Sequence, residues 1–308
     1  MLDRLTLDQL RTLIAVAEGG SFSAAARRLG RVQSAVSQSV QSLETALGIT
    51  LFDRAGKTPV LSDAGQVVLN DARHLVRGAE TLRARAESIA VEVEPELTLA
   101  VDGTFPNAPL MATLKGLSRT FPYLPVTLFT EHLGGAEQRL TDGAARLAIY
   151  PIVGNGMGRT DLESEFLAAI PLVPVVASDH PLAAEAGPLG REVLLPHLQL
   201  VLTDRTQVTA GFSGGIVSTR IWRFADLSTR LDYLLAGFGW CNMPLHLVES
   251  HIAAGRLKQL DLKAMGGTLH SFLQHVVHEP GRRPGRAGRW LIEDLRRRLT
   301  ENDEPANS

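Results

Sequence analysis

Apolar positions recur with two different rhythms along this 308-residue chain: helical up to about residue 91, and then short apolar runs alternating with helical stretches. In the first part, Leu10, Leu13, Ile14 and Ala17 share a helix face, with Thr6 and Gln9 as a capping box and Gly19-Gly20 as the stop. A second helix, "SAAARRL", can be capped by Ser21 or Ser23 and ends at Gly30; its three alanines permit close approach by a neighbour. The third, "RVQSAVSQSVQSLE" at residues 31 to 44, sets Val36, Val40, Leu43 and, just beyond, Leu47 nearly opposite Ser34, Ser37, Gln38 and Gln41. Three short helices with tight connections describe a helix-turn-helix. In "LFDRAGKTPVLS", Leu51-Phe52 and Val60-Leu61 pair as a hairpin wing around Ala55-Gly56-Lys57. Ser62 then caps a long helix to about Val91, where Val68, Leu69, Ala72, Leu75, Val76, Ala79 and Leu82 approximate an a/d seam. Such a seam suits pairing with a second copy; packing on the same chain is the alternative.

From "PELTLAVDG" onward, strand-like runs are Leu97–Val101, Val126–Phe129, Leu147–Tyr150, Leu172–Val176, Leu200–Leu202, Trp240–Met243, Leu257–Leu260 and His275–Val277. Helical stretches such as Ala108–Arg119, Ser228–Ala236 and Leu245–Ala254 lie between them. This alternation predicts an α/β domain with mostly parallel sheets, large enough for two lobes. The expected organisation is a DNA-binding domain at 1–61, a linker and dimerisation helix at 62–94, and an α/β domain at 95–308. Within the last, one lobe takes about 95–165 and 269–300, and the other about 166–268.

Composition narrows the setting: 44% hydrophobic and 21% charged residues are ordinary for a globular protein. A single cysteine, Cys241, excludes an intramolecular disulfide and suits a reducing compartment. "MLDRLTLDQLRTL" lacks a signal-peptide pattern, and no apolar run approaches the roughly 20 residues of a membrane span, so the expected location is cytoplasmic. The net charge of −2 gives no polyanion signal, but between Gly19 and Val60 five basic residues (Arg27, Arg28, Arg31, Arg54, Lys57) face only Glu44 and Asp53.

The outer face of the third helix explains that local excess. A face serving solubility would carry Lys and Glu; Gln33, Ser34, Ser37, Gln38 and Gln41 instead suit base edges in the major groove of double-stranded DNA. Arg27, Arg28 and Arg31 beside the helix, and Arg54 and Lys57 on the wing, then act as phosphate anchors. The run "LRTLIAVAEGGSFSAAARRLGRVQSAVSQSVQSLETALGITLFDR…LSDAG" resembles the N-terminal domain of LysR-type transcriptional regulators. The resemblance is carried by Phe22, Ala25-Ala26, Leu29, Ser34, Val36-Ser37, Leu43-Glu44, Leu47-Gly48, Leu51-Phe52, Arg54 and Ala64-Gly65. "GFGWCNMPLHLVES…GRLKQL" is similar to the family's C-terminal domain. The resemblance implies a winged helix-turn-helix, a dimerising linker helix and a two-lobed domain akin to periplasmic binding proteins. It also implies homodimers assembling into tetramers, and control by a small-molecule effector. Gln38-Ser39 stands where the family often has Arg-Gln, and Arg146 where many members have Asp.

Ligands of two-lobed α/β domains sit at carboxyl ends of strands. Those ends here supply Asp102, Thr104, Thr130 and His132 from one lobe, and Thr203, Asp204 and Phe212 from the other. By resemblance, Thr104 and Thr130 are the best effector-binding candidates, and removing either hydroxyl is expected to leave folding unchanged. Other signals carry less. "GFSGG" (Gly211 to Gly215) has the nucleophile-elbow spacing without the strand and helix around it. "GNGMG" (Gly154 to Gly158) lacks the dinucleotide spacing. His270, His275, His278 and Cys241 lack zinc spacing, and no nucleophile, base and orienter align. No metal, cofactor or enzymatic activity is expected; an enzyme built on the α/β domain and a constitutive regulator without a ligand are the competing readings. The seven Arg of "GRRPGRAGRWLIEDLRRRLT" fit the solvated face of a terminal helix docked through Leu291, Ile292, Leu295 and Leu299, followed by a disordered "ENDEPANS".

Overall fold

The computed structural model describes residues 5–53, 59–90, 92–153, 161–203, 205–206, 208–209, 215–263 and 270–303. The chain divides into two compact units between Ala90 and Val91.

In the first unit, α1 (Leu7–Gly19) carries the full capping box: Gln9 N–H donates to Thr6 Oγ1 and Thr6 N–H to Gln9 Oε1. Gly20, at φ 64°, ends it in the left-handed region. α2 (Phe22–Leu29) is capped by Ser21, whose Oγ accepts from Ala24 N–H at 3.1 Å. α3 (Gln33–Leu47) completes the trio. Leu10, Leu13 and Val16 of α1, Ala25 and Ala26 of α2, and Val36, Val40 and Leu43 of α3 form one core with Leu51 and Phe52. The hairpin pairs β1 (Phe52–Asp53) with β2 (Val60–Leu61), Phe52 opposite Leu61. Ser62 Oγ accepts from Gly65 N–H at 2.9 Å and opens α4 (Asp63–Ala90). Gly65 is required there: a Cβ would lie 2.1 Å from the Leu51 carbonyl oxygen.

The seam of α4 is divided. Leu69, Ala72 and Val76 are buried in the unit's own core, the alternative the sequence left open, whereas Leu75 (53% exposed) and Leu82 (70%) face outward with Val67. A single helix cannot bury a stripe this wide against one neighbour.

The second unit contains β3 (Leu97–Asp102), α5 (Asn107–Thr120), β4 (Val126–Glu131), α6 (Gly135–Thr141), β5 (Leu147–Pro151), β6 (Glu163–Ala177), α7 (Arg191–Leu194) and β7 (Gln199–Leu202). It continues with β8 (Ile221–Phe224), α8 (Leu227–Leu235), β9 (Trp240–Pro244), α9 (Leu245–Ala253), β10 (Leu257–Gln259), β11 (Ser271–His278) and α10 (Arg286–Asp303). The strands run in the order β4-β3-β5-β11-β6-β9-β7-β8, with β10 also on β6. β3 is parallel to β4 and β5, and β7 to β8 and β9. β11 and β6, however, run antiparallel to their neighbours, which corrects the expectation of mostly parallel sheets. The reason is the crossing between lobes: Glu163–Pro171 of β6 pairs with β11 in the first lobe, and Leu172–Ala177 with β9 and β10 in the second.

The terminal helix docks as expected, with Leu291 and Leu295 fully buried. Its first turn is held by Glu94, whose carboxylate accepts from Ala287 N–H at 3.0 Å and Gly288 N–H at 2.9 Å. Glu301–Asp303 belong to this helix rather than to a disordered tail, because Glu301 pairs with Arg297 one turn back at 3.3 Å.

Candidate nucleic-acid interface and ligand cleft

Helix α3 presents the face its pattern predicts. Gln33, Ser34, Gln38 and Gln41 are exposed and Ser37 is half-buried, and none of these side chains is held by a hydrogen bond among the described residues. Leu47 is the exception on the apolar side: at 39% exposed it is not part of the docked face, because α3 ends there and Gly48 turns the chain outward at φ 72°. Glu44 is not a solvated charge either. Its Oε1 accepts from the backbone N–H of Leu51 at 2.7 Å and of Phe52 at 3.3 Å, fixing the entry of the wing to the end of α3.

The basic residues separate into distinct states. Arg31 forks onto Asp8 of α1, Nη1 to Oδ2 at 2.8 Å and Nη2 to Oδ1 at 2.6 Å, and this contact holds the Asp8 carboxyl below the usual range. Arg28 pairs with Glu18 at 2.7 Å, and Glu18 also takes Arg73 at 3.4 Å. Arg27 is exposed and enters no ion pair among the described residues. Arg31, expected as a phosphate anchor, is therefore a cation tethered to α1. Arg54 and Lys57 lie outside the described residues.

In the second unit, the strand ends of the first lobe form a buried cluster. Asp102 accepts from Thr104 N–H at 2.8 Å, from the Thr104 hydroxyl in a short contact, and from Leu133 N–H at 2.6 Å. Thr104 is 0% exposed, and its Oγ1 accepts from Gln274 Nε2 at 2.9 Å. Burial pushes the Asp102 carboxyl upward against the pull of these hydrogen bonds and of His132. The His132 ring lies over Gly103, where a Cβ would stand 2.3 Å from its Cε1. Across the lobes, Leu227 N–H donates to His132 Nε2 at 3.4 Å, with Asp226 Oδ2 3.8 Å away. His132 Nδ1 is buried and has no hydrogen-bond partner among the described residues. Gln274 Oε1 is buried and likewise has no partner among the described residues.

Asp102, Thr104 and His132 thus come together, but the Thr104 hydroxyl is already committed as donor and acceptor. It is not the free effector donor the strand-end pattern suggests, because the turn after β3 folds it inward. Thr130 is exposed, registers with Val101 and makes no hydrogen bond to the cluster. Thr203 directly follows β7, with its N–H on the Phe224 carbonyl at 2.8 Å, and Asp204 and Phe212 lie outside the described residues. Gln274 and the Asp226–Leu227 corner were not among the sequence candidates; nothing local marks them.

Two family models cover most of the chain: "Bacterial regulatory helix-turn-helix protein, lysR family" over residues 7–66 and "LysR substrate binding domain" over residues 91–300. The chain belongs to the LysR family. It is a DNA-binding transcriptional regulator with a substrate-binding domain. It is 32% identical over 258 residues to the HTH-type transcriptional regulator YhaJ of Escherichia coli, covering 82% of this chain and 85% of the relative. The HTH-type transcriptional regulator AceR of Acinetobacter baumannii is 29% identical over 293 residues, covering 94% and 96%. Among solved structures, a mutant of Corynebacterium glutamicum OxyR shares the fold with a TM-score of 0.61 at 22% identity, over 96% of this chain and 93% of that one. These relatives are regulators, not enzymes.

Elsewhere in this LysR-family regulator, His275 Nδ1 lies 2.8 Å from the Leu273 carbonyl and His278 Nε2 3.6 Å from Glu163. Among the described residues no group of three or more His, Cys, Asp or Glu is placed to hold a metal, and no helix is long and apolar enough to cross a membrane. A surface pocket of about 230 Å³, lined by Ala184 to Gly187, Leu189, Lys258, Leu260 and Asp261, contains none of the expected ligand residues. The "GNGMG" segment and all of "GFSGG" but Gly215 lie outside the described residues.

Proposed function

We propose that this regulator reads DNA through Gln33, Ser34, Ser37, Gln38 and Gln41 of α3. One observation carries the reading: the hydrogen-bonding capacity of this uncharged outer face is unused among the described residues. Bidentate amides and hydroxyls match major-groove base edges, whereas Arg27 and the wing's Arg54 and Lys57 supply phosphate contacts common to all sequences. Arg31 contributes to the same field while tethered to Asp8. The outward part of the α4 seam, Val67, Leu75 and Leu82, is apolar surface that a second copy covers, giving a homodimer and, by pairing of dimers, a tetramer. The domain plan follows: reading head at 1–61, pairing helix at 62–94, effector domain at 95–308 with lobes meeting near His132, in a cytoplasmic protein.

A small polar effector between the lobes changes DNA binding through its differential affinity for two lobe arrangements. The buried Nδ1 of His132 and Oε1 of Gln274, neither with a partner among the described residues, support a polar ligand that hydrogen-bonds to both. To test the reading, duplexes are selected from a random library with the full-length chain. Two half-sites spaced by multiples of about 10 base pairs are expected. Leu75→Glu, which sets two like charges on the seam, is expected to sediment as a monomer and to lose the two-half-site preference. Unspaced single sites with wild type, or an unaltered dimer with Leu75→Glu, contradict it.

A further inference from the structure

We propose that Arg230 is an anion-binding residue of the second lobe, holding the carboxylate of a small organic acid beneath the first turn of α8. The proposal rests on reading this unit as an effector domain and names the chemical class of the effector. Arg230 is only 6% exposed, on the same face of α8 as buried Leu227 and Leu234. Among the described residues its hydrogen bonds run from Nη2 alone, to the Asn242 carbonyl and to Met243 Sδ, both at 3.1 Å, and buried Nε has no partner. No carboxylate among the described residues forms an ion pair with it. Asp226, one turn away, is occupied with its own helix: it accepts from Thr229 N–H at 2.7 Å, the Ser228 hydroxyl at 2.7 Å and the Thr229 hydroxyl at 2.8 Å.

A guanidinium keeps its proton in a protein even where burial pulls its pKa down, as it does here. Buried charges are ordinarily paired, and this one has no counter-ion among the described residues. The neighbouring Cys241 cannot serve as counter-ion, because burial pushes its thiol up to about 11 and keeps it neutral. The position is also that of a ligand group. Leu227, three residues earlier, donates to His132 of the first lobe, and Met243 and Pro244 pair with β6 where that strand enters the second lobe. A carboxylate matches the planar fork and cancels one charge with one charge, whereas a phosphate dianion would leave an excess.

The test uses the full-length chain with sodium acetate, benzoate, phosphate and chloride at equal ionic strength, reading Tm and intrinsic tryptophan fluorescence. Acetate or benzoate at millimolar concentration is expected to raise Tm, and chloride and phosphate are not. Arg230→Met, which removes the charge at similar volume, is expected to keep or raise the basal Tm and to lose the carboxylate response; Arg230→Lys is expected to weaken it. Equal wild-type Tm in all four salts, or a response that survives in Arg230→Met, overturns the proposal. So does a response to phosphate or chloride as large as that to carboxylate, which marks an adventitious ion only. Should Arg230→Met not fold, the wild-type salt series and Arg230→Lys still decide. A neutral effector that binds wild type and Arg230→Met alike would remove the carboxylate assignment while leaving the effector domain standing.

Discussion

The outer face of α3 and the strand-end cluster of the first lobe are built from similar residues and behave in opposite ways. Both are rich in neutral hydrogen-bonding side chains. On α3 these groups radiate from a helix whose backbone is already satisfied, so Gln38 and Gln41 stay open to a partner. After β3 the backbone leaves the sheet and needs partners of its own: Asp102 takes the Thr104 and Leu133 amides, and Thr104 is drawn in behind it. A polar residue on a helix surface is therefore available for recognition, whereas one in the turn after a strand is first consumed in holding the turn.

The contrast is broken or sharpened by substitutions on each side. The largest effect is expected for Asp102→Ala, which removes the acceptor for two buried amides and a hydroxyl. At roughly 1–3 kcal/mol for each buried donor left unpaired, the second unit should lose on the order of 2–4 kcal/mol, measured as the shift of its denaturation midpoint. An unshifted midpoint would show that the cluster is not holding the turn. Next comes Thr104→Val, which strands Gln274 Nε2 and one Asp102 contact. A loss of about 1–3 kcal/mol in stability is expected, not the unchanged folding that a residue on an open cleft wall would give. The smallest is Asp8→Asn on the DNA side. Releasing Arg31 and removing one negative charge should tighten binding to specific and scrambled duplexes alike, with a steeper dependence on salt. A gain confined to one sequence would place Arg31 in base recognition instead.

The Asp8–Arg31 contact also fixes a pH expectation. Because the folded pKa of Asp8 is depressed, its contribution is fully present above the unfolded value of about 3.9 and is lost only as pH falls through the lower folded value. Between pH 6 and 8 the tether should not change, so any pH dependence of DNA binding in that window comes from elsewhere.

Much of the first unit was legible because its signals are local. Thr6, Ser21 and Ser62 announce helix starts, Gly20, Gly30 and Gly48 announce ends, and the periodic apolar residues give the core. What escaped was non-local. Glu44 reads as a surface charge until the fold brings the Leu51 and Phe52 amides to it. Gln274 stands 170 residues from Thr104, and no spacing rule connects them. Strand β8, with Trp222 and Arg223 both exposed, lacks the apolar rhythm that marks a strand. The first half of β6 was cut off from the run at Leu172–Val176 by Pro171, which is tolerated where the strand changes partners.

The central claim, that α3 reads bases with its neutral side chains, is tested most directly through Gln38. Full-length wild type and Gln38→Ala are titrated by fluorescence anisotropy with a selected duplex and its scrambled counterpart at several salt concentrations. The expected result is a loss of about 1–3 kcal/mol on the selected duplex, almost none on the scrambled one, and an unchanged salt slope for both. An equal loss on the two duplexes, or a slope reduced by about one, would contradict base reading and make Gln38 one more contact to the phosphate backbone.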